Sequence, residues 1–362
     1  MAYTDIDKPT DYFNTSLWTG NGTSTAIATG HATNLIWIKN RNDTQRHNLI
    51  DSVRGVTKRV SSNTTDAEAT ESNMLSSFDS NGFTLGSDSS SYGTNTSNKT
   101  YVGWSWKAGT AVSGNTTGSG SAKAYAGSVS TTAGFSIIRY LGNGTDGHTI
   151  PHHLGAAPRW IFTKRLDSSS AGDWTVLHMG MSGGASDFAE FNATGAKQTN
   201  IARWRNTAPS STVFTIASNA TVNADDSPYI AYCFAEKQGF SKFGSYKGNN
   251  NADGPFIYLG FKPAFLIMKE TSGTGNWAII DSTRSFHNVG NHTLASNLNH
   301  AESQFGGGES VGGDSNKIDL LSNGFKIREA SAYNNGNGDD YIFMAFAESP
   351  FVTSTGVPAT AR

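Results

Sequence analysis

Tyr229-Ile230-Ala231-Tyr232-Cys233-Phe234 is one of three stretches with a common form, a tyrosine leading a short apolar run. Its counterparts are Tyr101-Val102-Gly103-Trp104-Ser105-Trp106 and Tyr341-Ile342-Phe343-Met344-Ala345-Phe346. Each closes a segment that opens on an aromatic-x-Gly-Asn string: Trp18-Thr19-Gly20-Asn21, Tyr140-Leu141-Gly142-Asn143 and Tyr246-Lys247-Gly248-Asn249. Internal repetition on this scale sets the architecture before any side-chain chemistry is weighed. A module copied three times more often presents surfaces or fills space than it builds one catalytic centre.

Between the two markers the copies keep a common order. An apolar run ending in or beside lysine comes first: Leu35-Ile36-Trp37-Ile38-Lys39, Arg159-Trp160-Ile161-Phe162-Thr163-Lys164 and Phe265-Leu266-Ile267-Met268-Lys269. Runs without polar alternation fit strands covered on both faces. Leu154-Gly155-x-x-Pro158 and Leu259-Gly260-x-x-Pro263 introduce the second and third of them, glycine permitting the bend and proline fixing φ. The next element is His47-Asn48-Leu49-Ile50-Asp51-Ser52, then Asp173-Trp174-Thr175-Val176-Leu177-His178, then Asn276-Trp277-Ala278-Ile279-Ile280-Asp281-Ser282. Copies one and three extend into Asp51-Ser52-Val53-Arg54 and Asp281-Ser282-Thr283-Arg284, an acid and a base spaced to pair or to satisfy a turn. Copy two has His178-Met179-Gly180 there instead. Ser80-Asn81-Gly82-Phe83-Thr84-Leu85 and Ser322-Asn323-Gly324-Phe325-Lys326-Ile327 then predict hairpins, of which copy two keeps only Val213-Phe214-Thr215-Ile216.

Each copy therefore holds about five to seven strands separated by turn signals, as sandwiches and small barrels do. The predicted fold is all-β: three tandem β-sandwich, jelly-roll-like repeats with little helix. Short helix is expected only at 65–71 and within 281–298. Residues 1–107, 135–238 and 239–351 form the repeats, and 352–362 a C-terminal tail. Residues 108–134, rich in Gly, Ser, Thr and Ala, predict a flexible or extended linker. With no such spacer between repeats two and three, those two should dock rigidly and the first should hinge away.

A net charge of −2 with 15% charged residues speaks against an electrostatic nucleic-acid binder. The 8 Trp, 12 Tyr and 20 Phe supply the burial an all-β core needs, and 40 glycines point to many tight turns. Cys233 is the only cysteine and lies inside a closing strand, where an inert buried thiol is expected. The N-terminus lacks the basic and apolar regions of a signal peptide, and no apolar run reaches the ~20 residues that span a bilayer. Synthesis in a cytoplasm is expected, without membrane insertion.

Chemistry is sparse. His148, His152 and His153 form the only histidine cluster, without a recognised zinc spacing. Asp225-Asp226 and Asp339-Asp340 each precede a closing strand and suit turn chemistry better than paired acid catalysis. Gly306-Gly307-Gly308 follows no strand suited to a phosphate loop, and no nucleophile elbow or dinucleotide fingerprint occurs. The parts that do not repeat, chiefly the loops at 148–153, 182–206 and 288–316, are where function is expected. The candidate binding residues are His148, His152, His153, Trp204, Asn288 and His292; no catalytic residue, metal or cofactor is expected.

Asp11-Tyr12-Phe13-Asn14-Thr15, Val53-Arg54-Gly55, Ile230-Ala231-Tyr232-Cys233-Phe234-Ala235, Gly239-Phe240-Ser241-Lys242-Phe243-Gly244-Ser245-Tyr246 and Met344-Ala345-Phe346-Ala347-Glu348-Ser349-Pro350-Phe351 carry a resemblance. The tail Thr360-Ala361-Arg362 fits it too. Over essentially its whole length the chain resembles a three-repeat family of virion structural, tail-fibre or lectin-like proteins encoded by marine tailed bacteriophages. The sequence departs from that family at Gly30-His31-Ala32-Thr33-Asn34, where His31 and Thr33 replace Phe and Pro. The resemblance implies a surface protein of the virion, either a tail-fibre or receptor-binding adhesin engaged in host attachment or a capsid-decorating protein. It implies virion proteins as partners, a homo-oligomer (a trimer) and a host-surface glycan as possible ligand. It transfers no catalytic residues. A glycan-degrading depolymerase is the competing class, and reducing-sugar release from host polysaccharide would mark it.

Overall fold

Strands dominate the chain in the computed structural model, which describes residues 3–87, 93–285, 287–290, 292–302 and 317–359. The fold is all-β, with large antiparallel sheets each faced by a small one. One strand order occurs three times. An opening strand (Phe13–Thr19, Phe135–Leu141, Ser241–Lys247) pairs with the closing strand (Thr100–Trp106, Pro228–Phe234, Asp340–Pro350). The closing strand pairs on its other side with the lysine strand (Leu35–Asn40, Trp160–Arg165, Phe261–Glu270). A corner strand follows (Asn48–Asp51, Thr175–His178, Ala278–Asp281), then a rim strand (Lys58–Val60, Asp187–Glu190, Leu294–Ala295).

The two sequence markers meet face to face. Ladder register places Trp18 opposite Tyr101, Tyr140 opposite Tyr229 and Tyr246 opposite Tyr341. Their rings stack with centroids 5.6, 5.1 and 4.9 Å apart. The glycine two residues beyond each opening aromatic has a physical reason. A Cβ on Gly20, Gly142 or Gly248 would collide with the carbonyl of Thr96, Ala224 or Gly336.

Every residue of the Leu35–Asn40 strand is buried, as its unbroken apolar run predicts. One face packs under the small sheet, where Ile36, Ile38 and Ile50 meet Phe83 and Leu85. The other face carries Leu35 and Trp37 into a cluster shared with the rest of the molecule. Trp106, Phe234 and Phe346, the last residues of the three apolar runs, contact one another edge to face at 5.8 to 6.3 Å. The three large sheets thus turn their inner faces onto one aromatic centre. The expected hinge between residues 1–107 and the rest is not what the structure has, because a hinged copy would expose Trp37, Trp104 and Trp106 to water.

Of the two expectations for residues 108–134, flexible or extended, the segment is extended. Thr110–Asn115 and Ala124–Ser130 form a hairpin that extends the second large sheet beyond its opening strand. Composition left flexibility open, yet Gly127 lies so close to Ile138 that a Cβ would clash. Thr117–Gly118 joins the small sheet at His148–Pro151, on the side away from Val213–Ile216.

The predicted hairpins form, Leu75–Asp79 with Gly82–Leu85 and Ile318–Leu321 with Gly324–Ile327. Their glycines serve a different end from the turn chemistry expected. Ser80-Asn81 and Ser322-Asn323 make the turns, while a Cβ on Gly82 or Gly324 would strike the carbonyl of Ile27 or Ile257 in the adjoining strand. Helix is absent from 65–71, which is extended and includes the strand Ala69–Thr70. Within 281–298 the strand Leu294–Ala295 forms, with residues 286 and 291 outside the described set. Single-turn helices occur instead at Ile201–Trp204, Ala220–Asn223 and Ala332–Asn335, capped by Asn200, Asn219 and Ser331.

Candidate functional site

The acid–base corners close the molecule. Asp51 Oδ2 accepts from Arg54 Nε at 2.5 Å and from the Tyr232 hydroxyl of the second closing strand at 2.8 Å. Asp281 Oδ2 accepts from Arg284 Nε at 2.5 Å and from Trp104 Nε1 of the first closing strand at 3.1 Å. Tyr232 and Trp104 hold the same place in their runs, fourth from the leading tyrosine. The third run has Met344 there, which offers no donor. The corner facing it carries His178, whose Nδ1 accepts from Gly180 N at 2.8 Å and whose Nε2 bonds Phe343 O at 3.3 Å. The loss of Asp-Ser-x-Arg in copy two is therefore matched across the interface by the loss of its donor.

Backbone bonds link the copies in the same cyclic order, one to two, two to three and three to one, closing a triangle. Glu68 N donates to Leu166 O, Lys197 N to Thr271 O and Glu302 N to Arg41 O, at 2.8 to 3.0 Å. A ring nitrogen at the start of each corner strand reaches the neighbouring rim strand in the opposite sense. Trp174 Nε1 donates to Ser61 O, Trp277 Nε1 to Glu190 O and His47 Nε2 to Ala295 O, at 2.8 to 3.1 Å. His47 can do so because Trp37 Nε1 donates to its Nδ1, which leaves the proton on Nε2.

An asparagine six residues before each closing tyrosine organises the outer loop. Asn95, Asn223 and Asn335 accept through Oδ1 from the backbone N of Asn21, Asn143 and Asn249 at 2.8 to 3.1 Å. The Nδ2 of Asn335 donates to the carbonyls of Asn251 and Glu329. Replacing Asn335 by alanine removes all three bonds, the one to Glu329 O being buried, and should cost about 2 kcal/mol, read from urea unfolding. The signal lay in the sequence, in the constant spacing to Tyr101, Tyr229 and Tyr341.

The six candidate binding residues are not brought together. His148 is fully buried and bonds Asn143, Ser119 O and Thr116. His152 is buried against Ser210 O at 3.1 Å, and Trp204 lies in the second sandwich core. His153 is exposed, in the left-handed region at φ 60°, with the Tyr125 hydroxyl 2.8 Å from its Nε2. Ladder register sets Pro151 in the place of Tyr258, so His152-His153 is a two-residue insertion in copy two. Asn288 and His292 are exposed in copy three. Asn288 brackets Leu320 with both ends of its amide, and His292 Nδ1 is 3.3 Å from Glu302 Oε1. Most of the 288–316 loop, including Gly306-Gly307-Gly308, lies outside the described residues, as does the Thr360-Ala361-Arg362 tail. Among the described residues no three His, Cys, Asp or Glu side chains gather as metal ligands. Asp225 and Asp226 both pair with Lys123, and Asp340 pairs with Lys247. Burial pushes the Cys233 thiol up to about 12, as expected of an inert core cysteine.

Burial also governs the pH response. It holds His178 down to about 3, His31 and His152 to about 4, and His47 well below its ordinary value. An unfolded chain binds these protons near pH 6.5. Each imidazole thus contributes stability that is whole above pH 6.5 and lost as the pH falls through its folded value. Glu329, pushed up to about 7 by burial, acts oppositely, its contribution fading as pH rises through 7. Buried Lys39, held to about 7, and Lys164 and Lys269, held to about 8, add stability as the pH climbs from there toward 10.5. The melting temperature should therefore fall steadily from pH 7 to 4 and rise from pH 7 to 9, which a calorimetric pH series checks.

A family model described as a domain of unknown function, DUF7483, matches residues 8–350, nearly the whole chain. The chain belongs to the DUF7483 family. No curated protein and no solved structure matches it. The matched span of this DUF7483 chain covers all three corners, all three closing tyrosines and the 108–134 hairpin.

Proposed function

We propose that this DUF7483 chain is a non-catalytic structural protein on the surface of a phage particle, acting as a tail-fibre or receptor-binding adhesin that contacts the host. The observation that carries the reading is the closed triangle of sandwiches. The side chains with most chemical potential, Asp51, Asp281, Arg54, Arg284, His47 and His178, are engaged in closing it. What varies between copies is the outer loops, the pattern of a rigid scaffold that displays recognition surfaces. Its partners are other virion proteins and a host-surface glycan, without nucleic acid or membrane insertion. A homo-oligomer, with a trimer favoured, would be built through outer surfaces, the inner faces being buried within one chain.

A second reading, decoration of the head, draws on the same geometry. A chain with approximate threefold form fits a threefold position of a shell without needing three copies. Gold-labelled antibody against the protein, viewed on negatively stained particles, separates the two. Label at the tail supports the adhesin, label over the head supports decoration, and particles bare of label overturn both.

A further inference from the structure

We infer that the chain holds a pocket for a neutral saccharide at the edge of its third copy, built around Tyr258 and Tyr3; its biological setting rests on the adhesin reading. The outward positions of the small-sheet strand show what sets this copy apart. Register makes Ala26 and Ala28 of copy one equivalent to Thr149 and Pro151 of copy two and to Phe256 and Tyr258 of copy three. Only the third pair is aromatic. Phe256 is 45% exposed and Tyr258 54%, in a chain that buries Trp104, Trp160, Trp174, Trp204 and Trp277 completely. Tyr3, 58% exposed, lines the same pocket of about 310 Å³.

The pocket has the chemistry a sugar needs. Pyranose rings present C–H faces that stack on aromatic rings, and hydroxyls that donate and accept at once. Tyr258 offers the face and is braced by Lys242, whose Nζ donates to Tyr258 O at 2.8 Å and lies 5.5 Å from the ring centroid. Gln238 is exposed on the same wall, and its amide both donates and accepts. Glu236 is fixed by Phe243 N at 2.8 Å and by Arg159 at 3.4 Å, and adds an acceptor. Glu236 and Lys242 line the pocket together, so its formal charges cancel and favour a neutral ligand, and the polar half of the wall disfavours a purely apolar one. The volume sits at the small end of the ligand-pocket range, about 300–1,000 Å³, which suits one or two sugar rings. The walls are set before binding. Gly239 has φ 75° and no room for a Cβ beside Thr4, and Gly260 has φ 81°.

The test uses the purified full chain in saturation-transfer difference NMR. The probes are methyl glycosides of glucose, galactose, mannose and N-acetylglucosamine, their 1,4-linked disaccharides, and methyl glucuronide. At least one neutral probe should bind saturably. Tyr258→Ala and Gln238→Ala should each weaken it tenfold or more while Tm moves by less than about 2 °C. Tyr258→Trp, which keeps the stacking face, should bind within threefold of wild type. Binding by none of the neutral probes, by glucuronide alone, or undiminished in Tyr258→Ala overturns the pocket. Gold labelling of particles is read separately, so either idea can fail alone: tail label with no sugar binding removes only the pocket, and sugar binding with unlabelled particles removes only the virion setting.

Discussion

Asp281→Asn should destabilise the fold by about 3–5 kcal/mol, the cost of breaking a buried ion pair from one side. Both partners are sealed from water, Asp281 and Arg284 having fully buried side chains. The carboxylate satisfies Arg284 N and Arg284 Nε, and it reaches into copy one through Trp104 Nε1. An amide turns a donor toward two donors, and Arg284 is left with Glu302 as its only carboxylate partner among the described residues. For a chain of this size the loss appears as a fall in Tm of about 4–7 °C. A double-mutant cycle with Trp104→Phe carries the sharper information. A coupling near 1 kcal/mol would place part of the cost across the copy boundary. A Tm within about 2 °C of wild type would show that the corner does not hold the triangle closed.

Phe346→Ala should cost about 3–5 kcal/mol, as large-to-small changes in a packed core do. The ring is 1% exposed, stacked on Phe13 at 4.9 Å and set edge-on to Trp106 and Phe234. Three of its neighbours thus come from copies one and two. Guanidinium unfolding should stay a single transition, shifted to lower denaturant. Two separated transitions, with only the third copy melting early, would mean that the centre is not shared.

The strands and their order were legible because the chain writes them three times with the same markers. Tyr101, Tyr229 and Tyr341 mark the closing strands, and the runs before Lys39, Lys164 and Lys269 mark strands covered on both faces. The arrangement of the copies was not legible. Nothing in Trp104, Tyr232 or Met344 taken alone says that each faces a corner from another copy, since a contact between residues 177 apart leaves no local pattern. The change from Asp281 to His178 looked like the loss of a motif until its partner was seen. The 108–134 segment was legible as extended but not as part of a sheet, because small residues serve both a loose linker and a strand pressed against Ile138. Trp204 and His148 show the limit of choosing binding residues by type, because both are used up by burial. Tyr258 passed unremarked as a binding residue, since exposure rather than identity singles it out.

A true homotrimer must carry every substitution three times around its axis. Here the axis is folded from one chain, so Phe256 and Tyr258 occur once while Ala26, Ala28, Thr149 and Pro151 stay small. With the proposed pocket the molecule would be monovalent. Under the proposed adhesin reading, a firm grip would come from how many such chains a particle displays, and from their spacing, rather than from symmetry inside each one.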